Sequence, residues 1–308
     1  MSKQVQTTQT TTELTRLTDE QRARWDEDGY LLLEQALSPE EVARLLGAVA
    51  RLRDVAAAGP APAAPAGTAV FNAFNVVEAD EAFLDVMDHP HVLGLVADLV
   101  GANIQLLMSQ LMVRPPTQTA ALGWHHDGPK PLPFPRVDGL APLVNLKVGV
   151  FLTDVSGPDQ GNLVVLPGSH RRTRVDLSGS LAHSAAETTE VLSDAAAAVP
   201  VLARPGDVIL FHNALWHAVA KSVVDRVRTV LYYTYGPLWL RLGDRDAPSP
   251  ALATRCGPVR RQLLGALARP EDHGGMHPGP AGTPLLGVLD SRSYTEVMEE
   301  EFRREVSS

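Results

Sequence analysis

Seven short segments rich in β-branched and aromatic residues follow one another between residues 103 and 236, and they constrain the fold more than any other feature. Pro, Gly and Asp turn residues separate each segment from the next. Many short strands in succession are typical of a β-sandwich, barrel or jelly roll. The predicted strands are residues 104–113, 144–152, 162–166, 199–203, 207–211, 215–219 and 227–235.

Helix signals dominate the residues before these strands. The sequence from Ser38 to Glu41 combines an N-cap serine, a proline at the first helical position and a glutamate at the third. It predicts a helix that extends to about Ala57, and residues 30–33 before it predict a short apolar strand. Further helices are predicted at residues 91–100, 257–267 and 293–305.

Together these patterns predict a single α+β domain over residues 17–308. Residues 1–16 are rich in Thr and Gln and offer little to bury, so we expect them to form a disordered tail. The long segments 128–143 and 171–198 are expected to act as lids over a reactive site. The helical part, the β core and the C-terminal helices of the domain are predicted at 17–102, 103–236 and 237–308.

Charge and cysteine content exclude several classes of function. A net charge of −9 without a Lys/Arg cluster argues against nucleic acid and gives no reason to expect an anionic membrane as partner. Cys256 is the single cysteine, which excludes an internal disulfide and a cysteine-based zinc site. The polar N-terminus lacks an apolar signal segment, and no apolar stretch reaches ~18 residues. We therefore expect a cytoplasmic protein.

The sequence Trp-His-His-Asp at residues 124–127 predicts part of a metal site. In an extended chain, residues i and i+2 project to the same side, so His125 and Asp127 can bind one metal while His126 points away towards the pocket wall. His217, on a later predicted strand, can complete the set. Two imidazoles and one carboxylate on one side of a metal leave its other positions open, which favours Fe(II) over structural zinc.

Arg228 follows His217 by eleven residues, on the next predicted strand. A short reversal between the two strands brings its guanidinium to the inner end of the pocket, where it can bind a carboxylate. This suits 2-oxoglutarate, whose other end can chelate the iron. His212 is the rival third ligand, but the residue eleven positions after it is Val223. Arg226 lies nearer the turn and is expected to face solvent.

Several sequence blocks, in the same order, resemble the phytanoyl-CoA dioxygenase family of iron- and 2-oxoglutarate-dependent oxygenases. They are Asp28-Gly-Tyr-Leu, Leu37-Ser-Pro-Glu-Glu, Trp124-His-x-Asp, Gly161-Asn-Leu-Val-Val-Leu-Pro-Gly-Ser-His170, Gly206-Asp-Val-Ile-Leu-Phe, and His217 with Arg228. The resemblance covers about residues 18 to 236. It implies a double-stranded β-helix, or jelly roll, with N-terminal and flanking helices packed on the major sheet. It also implies Fe(II) held by His125, Asp127 and His217, 2-oxoglutarate anchored by Arg228, and O₂ as second cosubstrate.

Further residues are candidates for contacts with the cosubstrate. If the apolar face of strand 144–152 packs on helices, Asn145 and Lys147 face the barrel interior. The alternative is a half-exposed strand with polar residues in water. Gln110 corresponds to a glutamine that relatives often place near 2-oxoglutarate. Ser222 and Val224 depart from the Asn and Ser that relatives often carry after the distal histidine, which weakens the expectation of a cosubstrate contact there.

Substrate contacts are predicted for a mainly aromatic set, although aromatic residues on strands are more often part of the core. These residues are His126, Trp216, Tyr235 and Trp239.

The predicted reaction is hydroxylation or oxidative cyclisation at an unactivated C–H bond of a small molecule. Asp127 argues against halogenation, because related halogenases have a small residue there to admit chloride. The Ala-, Val-, Arg- and Pro-rich composition indicates a GC-rich bacterial genome and natural-product tailoring. The alternatives are a metal-binding jelly roll without oxygenase activity, either a zinc enzyme or a dicarboxylate-binding module, and a structural or interaction domain. We expect a monomer or a homodimer.

Overall fold

Two antiparallel β-sheets form the centre of the molecule. This computed structural model describes residues 14–58, 70–118, 122–127, 141–171, 197–266 and 283–289, with Glu300 and Arg303. The larger sheet has the strand order β1-β8-β5-β10-β3-β2 and the smaller sheet has the order β4-β9-β6-β7. The strands are β1 (Tyr30–Leu33), β2 (Phe71–Phe74), β3 (Ile104–Arg114), β4 (Leu122–His125), β5 (Leu146–Phe151), β6 (Leu163–Val165), β7 (Val199–Pro200), β8 (Val208–His212), β9 (His217–Val219) and β10 (Arg228–Pro237).

Helices precede and follow this β core. They are α1 (Asp19–Asp28), α2 (Pro39–Ala57), α3 (Glu81–Met87), α4 (Pro90–Val100), α5 (Pro250–Arg255), α6 (Pro258–Leu263) and α7 (Pro284–Leu289). At the start of α2 the Ser38 hydroxyl accepts the Glu41 backbone N–H at 3.3 Å, and the Glu41 carboxylate accepts the Ser38 N–H at 2.8 Å. This reciprocal cap satisfies two N–H groups at the helix end, as predicted.

The two faces of the larger sheet have different partners. Leu146, Val148 and Val150 of β5 belong to a core that includes Phe83 of α3 and Leu95 of α4. Residues of the opposite face form a second core with side chains of the smaller sheet: Phe151, Ile209, Phe211, Val230 and Tyr232 with Leu163 and Val165. The helices therefore cover the outer face, which decides between the two alternatives for β5 and turns the alternate residues of this strand towards the space between the sheets.

Leu14, Thr15 and Arg16 correct the prediction of a disordered tail. Leu14 packs against the helical core. The Thr15 backbone N–H donates to the Pro90 carbonyl at 3.0 Å, and Arg16 Nε donates to Asp98 at 2.9 Å. The polar composition concealed these contacts, because they need only one leucine, one backbone group and one guanidinium. The remainder of the predicted tail lies outside the described residues.

Strand β2 was not predicted from the sequence. Its four residues pair with β3 and form one edge of the larger sheet. Its sequence Phe-Asn-Ala-Phe lacks the continuous apolar run by which the equally short β1 was recognised. Most of the two predicted lids, 128–143 and 171–198, and of the predicted helix 293–305 lies outside the described residues. No described helix combines the length and apolar character that crossing a membrane requires.

Candidate metal centre and its surroundings

The three predicted ligands come together at one end of the space between the sheets. His125 ends β4 and is paired in register with His217, the first residue of β9. Asp127 follows two residues after His125. One potential ligand atom from each of the three lies within 4.8 Å of the other two. The imidazole centroids are 4.2 Å apart, and His217 Nε2 is 3.7 Å from Asp127 Oδ2.

Backbone carbonyls orient both imidazoles. His125 Nδ1 lies 2.8 Å from the Gly123 carbonyl oxygen, and His217 Nδ1 lies 2.9 Å from that of Leu215. A carbonyl oxygen can only accept, so each Nδ1 is assigned the proton and each Nε2 keeps its lone pair. This is the tautomer that a metal-binding histidine needs. The same i−2 contact fixes both rings.

The electrostatics of the group favour a neutral imidazole beside an ionised carboxylate. Burial lowers the pKa of His217 to about 4, with the positive charge of His125 acting in the same direction and Asp127 opposing it. For Asp127, burial raises the pKa, but the charges of Lys147 and His217 outweigh it and hold the pKa well below its usual range. Both groups are thus in the protonation state that binds a cation near neutral pH.

Lys147 contacts one of these residues directly. Its Nζ lies 2.8 Å from Asp127 Oδ2 and 5.6 Å from the centroid of the Tyr232 ring. The Tyr232 hydroxyl in turn accepts a hydrogen bond from Arg228 Nη2 at 3.0 Å. Lys147, Tyr232 and Arg228 therefore form a continuous path along the inner face of β5 and β10, away from the triad.

Arg228 is buried, with 2 % of its surface exposed. Its Nε and Nη1 have no hydrogen-bond partner within the part of the chain that the structure describes, and the same holds for the buried Ser222 Oγ. A Cβ on Gly161 would lie 3.1 Å from Arg228 Cδ and 3.4 Å from Ser222 Cβ, so these side chains meet over a glycine. An unpaired buried guanidinium is costly, and a bound carboxylate would remove this cost.

A second arginine lies beside Arg228 on the neighbouring strand of the same sheet. Arg114 is its partner in the β3–β10 register. Burial and the positive charge of Arg228 lower the pKa of Arg114. This end of the space between the sheets is therefore positively charged, which favours an anion.

Gln110 and Asn145 face the same interior. Gln110 is buried opposite Tyr232 in the register, and its Nε2 donates to Asn72 Oδ1 at 2.8 Å. Asn145, just before β5, has a buried Oδ1 without a partner among the described residues. Their predicted contacts with the cosubstrate stay predictions, as does that of Lys147.

The predicted substrate residues fall into two groups. His126 and Trp216 each neighbour a residue of the triad in sequence, and their rings pack edge to face at 5.2 Å. Tyr235 was predicted wrongly: it belongs to the outer, helix-covered core, and its hydroxyl donates to the Met87 carbonyl at 2.7 Å. Trp239 is 47 % exposed in the turn after β10 and keeps its role as a prediction only.

The rejected alternatives lie elsewhere. The His212 ring packs 6.1 Å from that of Trp25 and 5.2 Å from that of His170, and its Nδ1 accepts the Ala214 N–H at 2.9 Å. Arg226 pairs with Asp154 at 2.9 Å, with 42 % of its side chain exposed. Both observations agree with the choice of His217 and Arg228.

Tyr232 is the residue that the sequence reasoning missed. Every second side chain along a strand lies on the same face of the sheet. Tyr232 therefore shares a face of β10 with Arg228, four residues before it. This spacing could have identified Tyr232 from the sequence. Tyr233 and the predicted Tyr235 lie on the opposite face of the strand, and their hydroxyls donate to the backbone carbonyls of Phe83 and Met87.

The chain is similar to curated proteins and to solved structures. Ectoine dioxygenase from Nocardia farcinica is 24% identical over 249 residues, which cover 75% of this chain and 82% of that protein. HygX from Streptomyces hygroscopicus with nickel and 2-oxoglutarate bound is 23% identical, with a TM-score of 0.61 over 78% of this chain and 95% of that one. The carbocyclase SnoK from nogalamycin biosynthesis is 24% identical, with a TM-score of 0.58 over 80% and 95%.

The sequence model of one family matches a long part of the chain. Its description is phytanoyl-CoA dioxygenase (PhyH), and the match covers residues 25–229, more than half of the 308 residues. The relatives and structures agree with the predicted jelly roll and with the predicted class of iron- and 2-oxoglutarate-dependent dioxygenases, and both predictions are confirmed. The chain therefore belongs to the phytanoyl-CoA dioxygenase (PhyH) family.

Proposed function

We propose that His125, Asp127 and His217 hold Fe(II), that Arg228 binds the distal carboxylate of 2-oxoglutarate, and that the enzyme oxidises an unactivated C–H bond of a small molecule. One observation carries this proposal. Three convergent ligands lie at one end of the space between the sheets, and along the same inner face lies a buried guanidinium, two nitrogens of which have no partner among the described residues. Two imidazoles and a carboxylate fit Fe(II), and the guanidinium fits a dicarboxylate.

Iron with 2-oxoglutarate and O₂ supplies an oxidant strong enough to attack an unactivated C–H bond, and 2-oxoglutarate becomes succinate and CO₂. The residues of the chain prepare this chemistry. His217 presents an unprotonated Nε2 because its Nδ1 is bonded to the Leu215 carbonyl and its pKa is low. Asp127 supplies the negative charge. Arg228 neutralises the negative charge of the cosubstrate carboxylate in a site shielded from water.

We place the substrate on the side of the triad that His126 and Trp216 flank. Their rings offer a flat apolar wall with a polar edge, which suits a multifunctional small molecule. The origin of SnoK in nogalamycin biosynthesis and a HygX structure with hygromycin B bound support natural-product tailoring as the role here. Hydroxylation and oxidative cyclisation use the same residues. The monomeric or homodimeric state and the cytoplasmic location stay predictions.

The first experiment is an anaerobic titration of the metal-free protein with Fe(II) and then 2-oxoglutarate. We expect the weak visible charge-transfer band of an Fe(II)–2-oxo acid chelate. Protein without this band would contradict the proposed sites. A zinc enzyme or a dicarboxylate-binding module would bind its ligand but would release no succinate in air, so succinate release in the presence of candidate natural products decides between these functions.

A further inference from the structure

Lys147 is the described cation nearest to the proposed ligands that is not itself a ligand. Its ammonium lies 2.8 Å from Asp127 Oδ2, and only 14 % of its side chain is exposed. The register pairs Lys147 with Thr234 of β10 and with Phe211 of β8, and the Phe211 ring lies 5.0 Å from that of His217. Lys147 is thus at the level of the triad, whereas Arg228, the first residue of β10, lies six residues before Thr234.

An ammonium and a metal ion compete for the same carboxylate. Asp127 has two oxygens, and Lys147 binds Oδ2, which is also the oxygen that lies 3.7 Å from His217 Nε2. The same ammonium lies over the Tyr232 ring, 5.6 Å from its centroid, and this contact helps to restrain Lys147. A move away from Oδ2 would cost the ammonium a charge-assisted hydrogen bond in a mostly buried setting.

We propose that Lys147 is a positioning residue that fixes the orientation of the Asp127 carboxylate through Oδ2, the oxygen that faces His217, so that the carboxylate offers the metal this single oxygen and the remaining positions stay available to 2-oxoglutarate and O₂. This inference rests on the proposed function of the triad. It assigns to Lys147 a role towards the metal ligand, which differs from the contact with the cosubstrate that the sequence suggested.

The sign of the effect follows from electrostatics. A positive charge beside a cation site weakens metal binding, because it repels the ion and neutralises part of the ligand charge. Lys147 also restrains the carboxylate, which favours metal binding. The free energy gained by ordering one short side chain is smaller than the free energy lost to repulsion by a nearby unit charge. Removal of Lys147 is therefore expected to strengthen metal binding and to weaken the subsequent binding of 2-oxoglutarate.

The test uses Co(II) as a spectroscopic probe in the full-length protein, first without 2-oxoglutarate. Lys147→Met keeps the length of the side chain and removes its charge. We expect Co(II) to bind about fivefold more tightly than to the wild type and its visible spectrum to change. Lys221→Met is the matched control, since Lys221 pairs with Asp159 at the surface and is 44 % exposed. Its Co(II) affinity and spectrum should equal those of the wild type.

The second stage adds 2-oxoglutarate to the Co(II) proteins. We expect the Lys147→Met protein to bind it about fivefold more weakly, and Lys147→Arg, which keeps the charge, to recover most of this loss. An unchanged Co(II) affinity and spectrum combined with weaker 2-oxoglutarate binding would mean that Lys147 contacts the cosubstrate, and would overturn the proposal. Weaker Co(II) binding would overturn it as well, since the lysine would then be a simple support.

Two controls separate this proposal from other failures. If Lys147→Met does not fold, Lys147→Gln provides the same test with a polar side chain. The charge-transfer band of the wild type is measured independently of any variant. Loss of that band refutes the proposed function, whereas its presence together with an unchanged Lys147→Met metal centre refutes only the role of Lys147.

Discussion

Asp127 is the residue on which metal binding depends most directly, because it is the ionised member of the triad. Asp127→Ala leaves two neutral imidazoles and an unpaired Lys147 ammonium beside the site. We expect Fe(II) affinity to fall more than about a hundredfold, beyond the effect of a typical supporting residue, and succinate formation to stop. Asp246→Ala is the control, because that carboxylate is 93 % exposed and forms a surface pair with Arg241. Unchanged turnover in Asp127→Ala would show that the ligand assignment is wrong.

Arg228, the first residue of β10, and Arg226, two residues before the strand, provide a matched pair. Arg228→Met removes a buried guanidinium that the proposal assigns to 2-oxoglutarate, and truncating one partner of a buried charge pair costs about 2–5 kcal/mol. We expect 2-oxoglutarate affinity to fall on the order of a hundredfold, with Fe(II) affinity nearly unchanged. Arg226→Met, which loses only a half-exposed pair with Asp154, should retain the wild-type affinity. Isothermal titration under argon measures both constants.

His217 should stay neutral in the metal-free protein down to a pH of about 4, because burial lowers its pKa from the ordinary 6.5. Between these values the unfolded chain binds a proton that the folded chain does not, so the free energy of unfolding should decrease as the pH falls through this window. An imidazole NMR titration, with the resonance assigned from His217→Asn, measures the midpoint. A midpoint near 6.5 would contradict the burial and the tautomer described here.

Strands β5 and β10 show which part of the site can be predicted from sequence. Alternation along one strand assigns a face, so Lys147 and Arg228 could be placed on the inside once the apolar face was assigned to the helices. The same rule excludes Tyr235, which has the wrong parity. The contact between Lys147 and Asp127 could not be predicted, because it depends on the distance between two sheets and not on any local pattern.

Gly149 of β5 explains how Tyr232 reaches across the sheet. A Cβ at this position would lie 2.9 Å from Tyr232 Cε1 and 3.0 Å from Ile209 Cγ2. Gly149→Ala should therefore displace Tyr232 and with it Arg228 Nη2, and overpacking of this kind costs about 1–3 kcal/mol. We expect weaker 2-oxoglutarate binding and a lower melting temperature, with little change in Fe(II) affinity.

Gly287 offers the control for this substitution. It lies in α7, is exposed, and a Cβ there would meet nothing within 4 Å. Gly287→Ala should be neutral or slightly stabilising, since alanine favours a helix over glycine. If both variants bind 2-oxoglutarate equally well, the position of Tyr232 does not control Arg228.

At the scale of the whole molecule, the C-terminal helices hold the β core from the side of β3. Gln262 of α6 is fully buried, and its Nε2 donates to the carbonyls of Ala102 at 2.7 Å and Ile104 at 3.1 Å. Its Oε1 accepts the Leu285 backbone N–H of α7 at 3.0 Å. One side chain thus joins two helices to the start of a central strand. Arg260, also on α6, adds ion pairs to Asp85 of α3 and to Asp88 directly after that helix.

Gln262→Leu keeps the approximate volume but leaves one N–H and two carbonyl groups without this partner. Each buried polar group that loses its hydrogen bond costs about 1–3 kcal/mol, so we expect the free energy of unfolding to fall by about 3 kcal/mol. Urea denaturation measures this loss, with Arg241→Leu, whose side chain is 87 % exposed, as control. Because Gln262 contacts neither the triad nor Arg228, the folded variant should keep the wild-type charge-transfer band at low temperature. A stable variant with an altered band would mean that α6 supports the metal site and not only the fold.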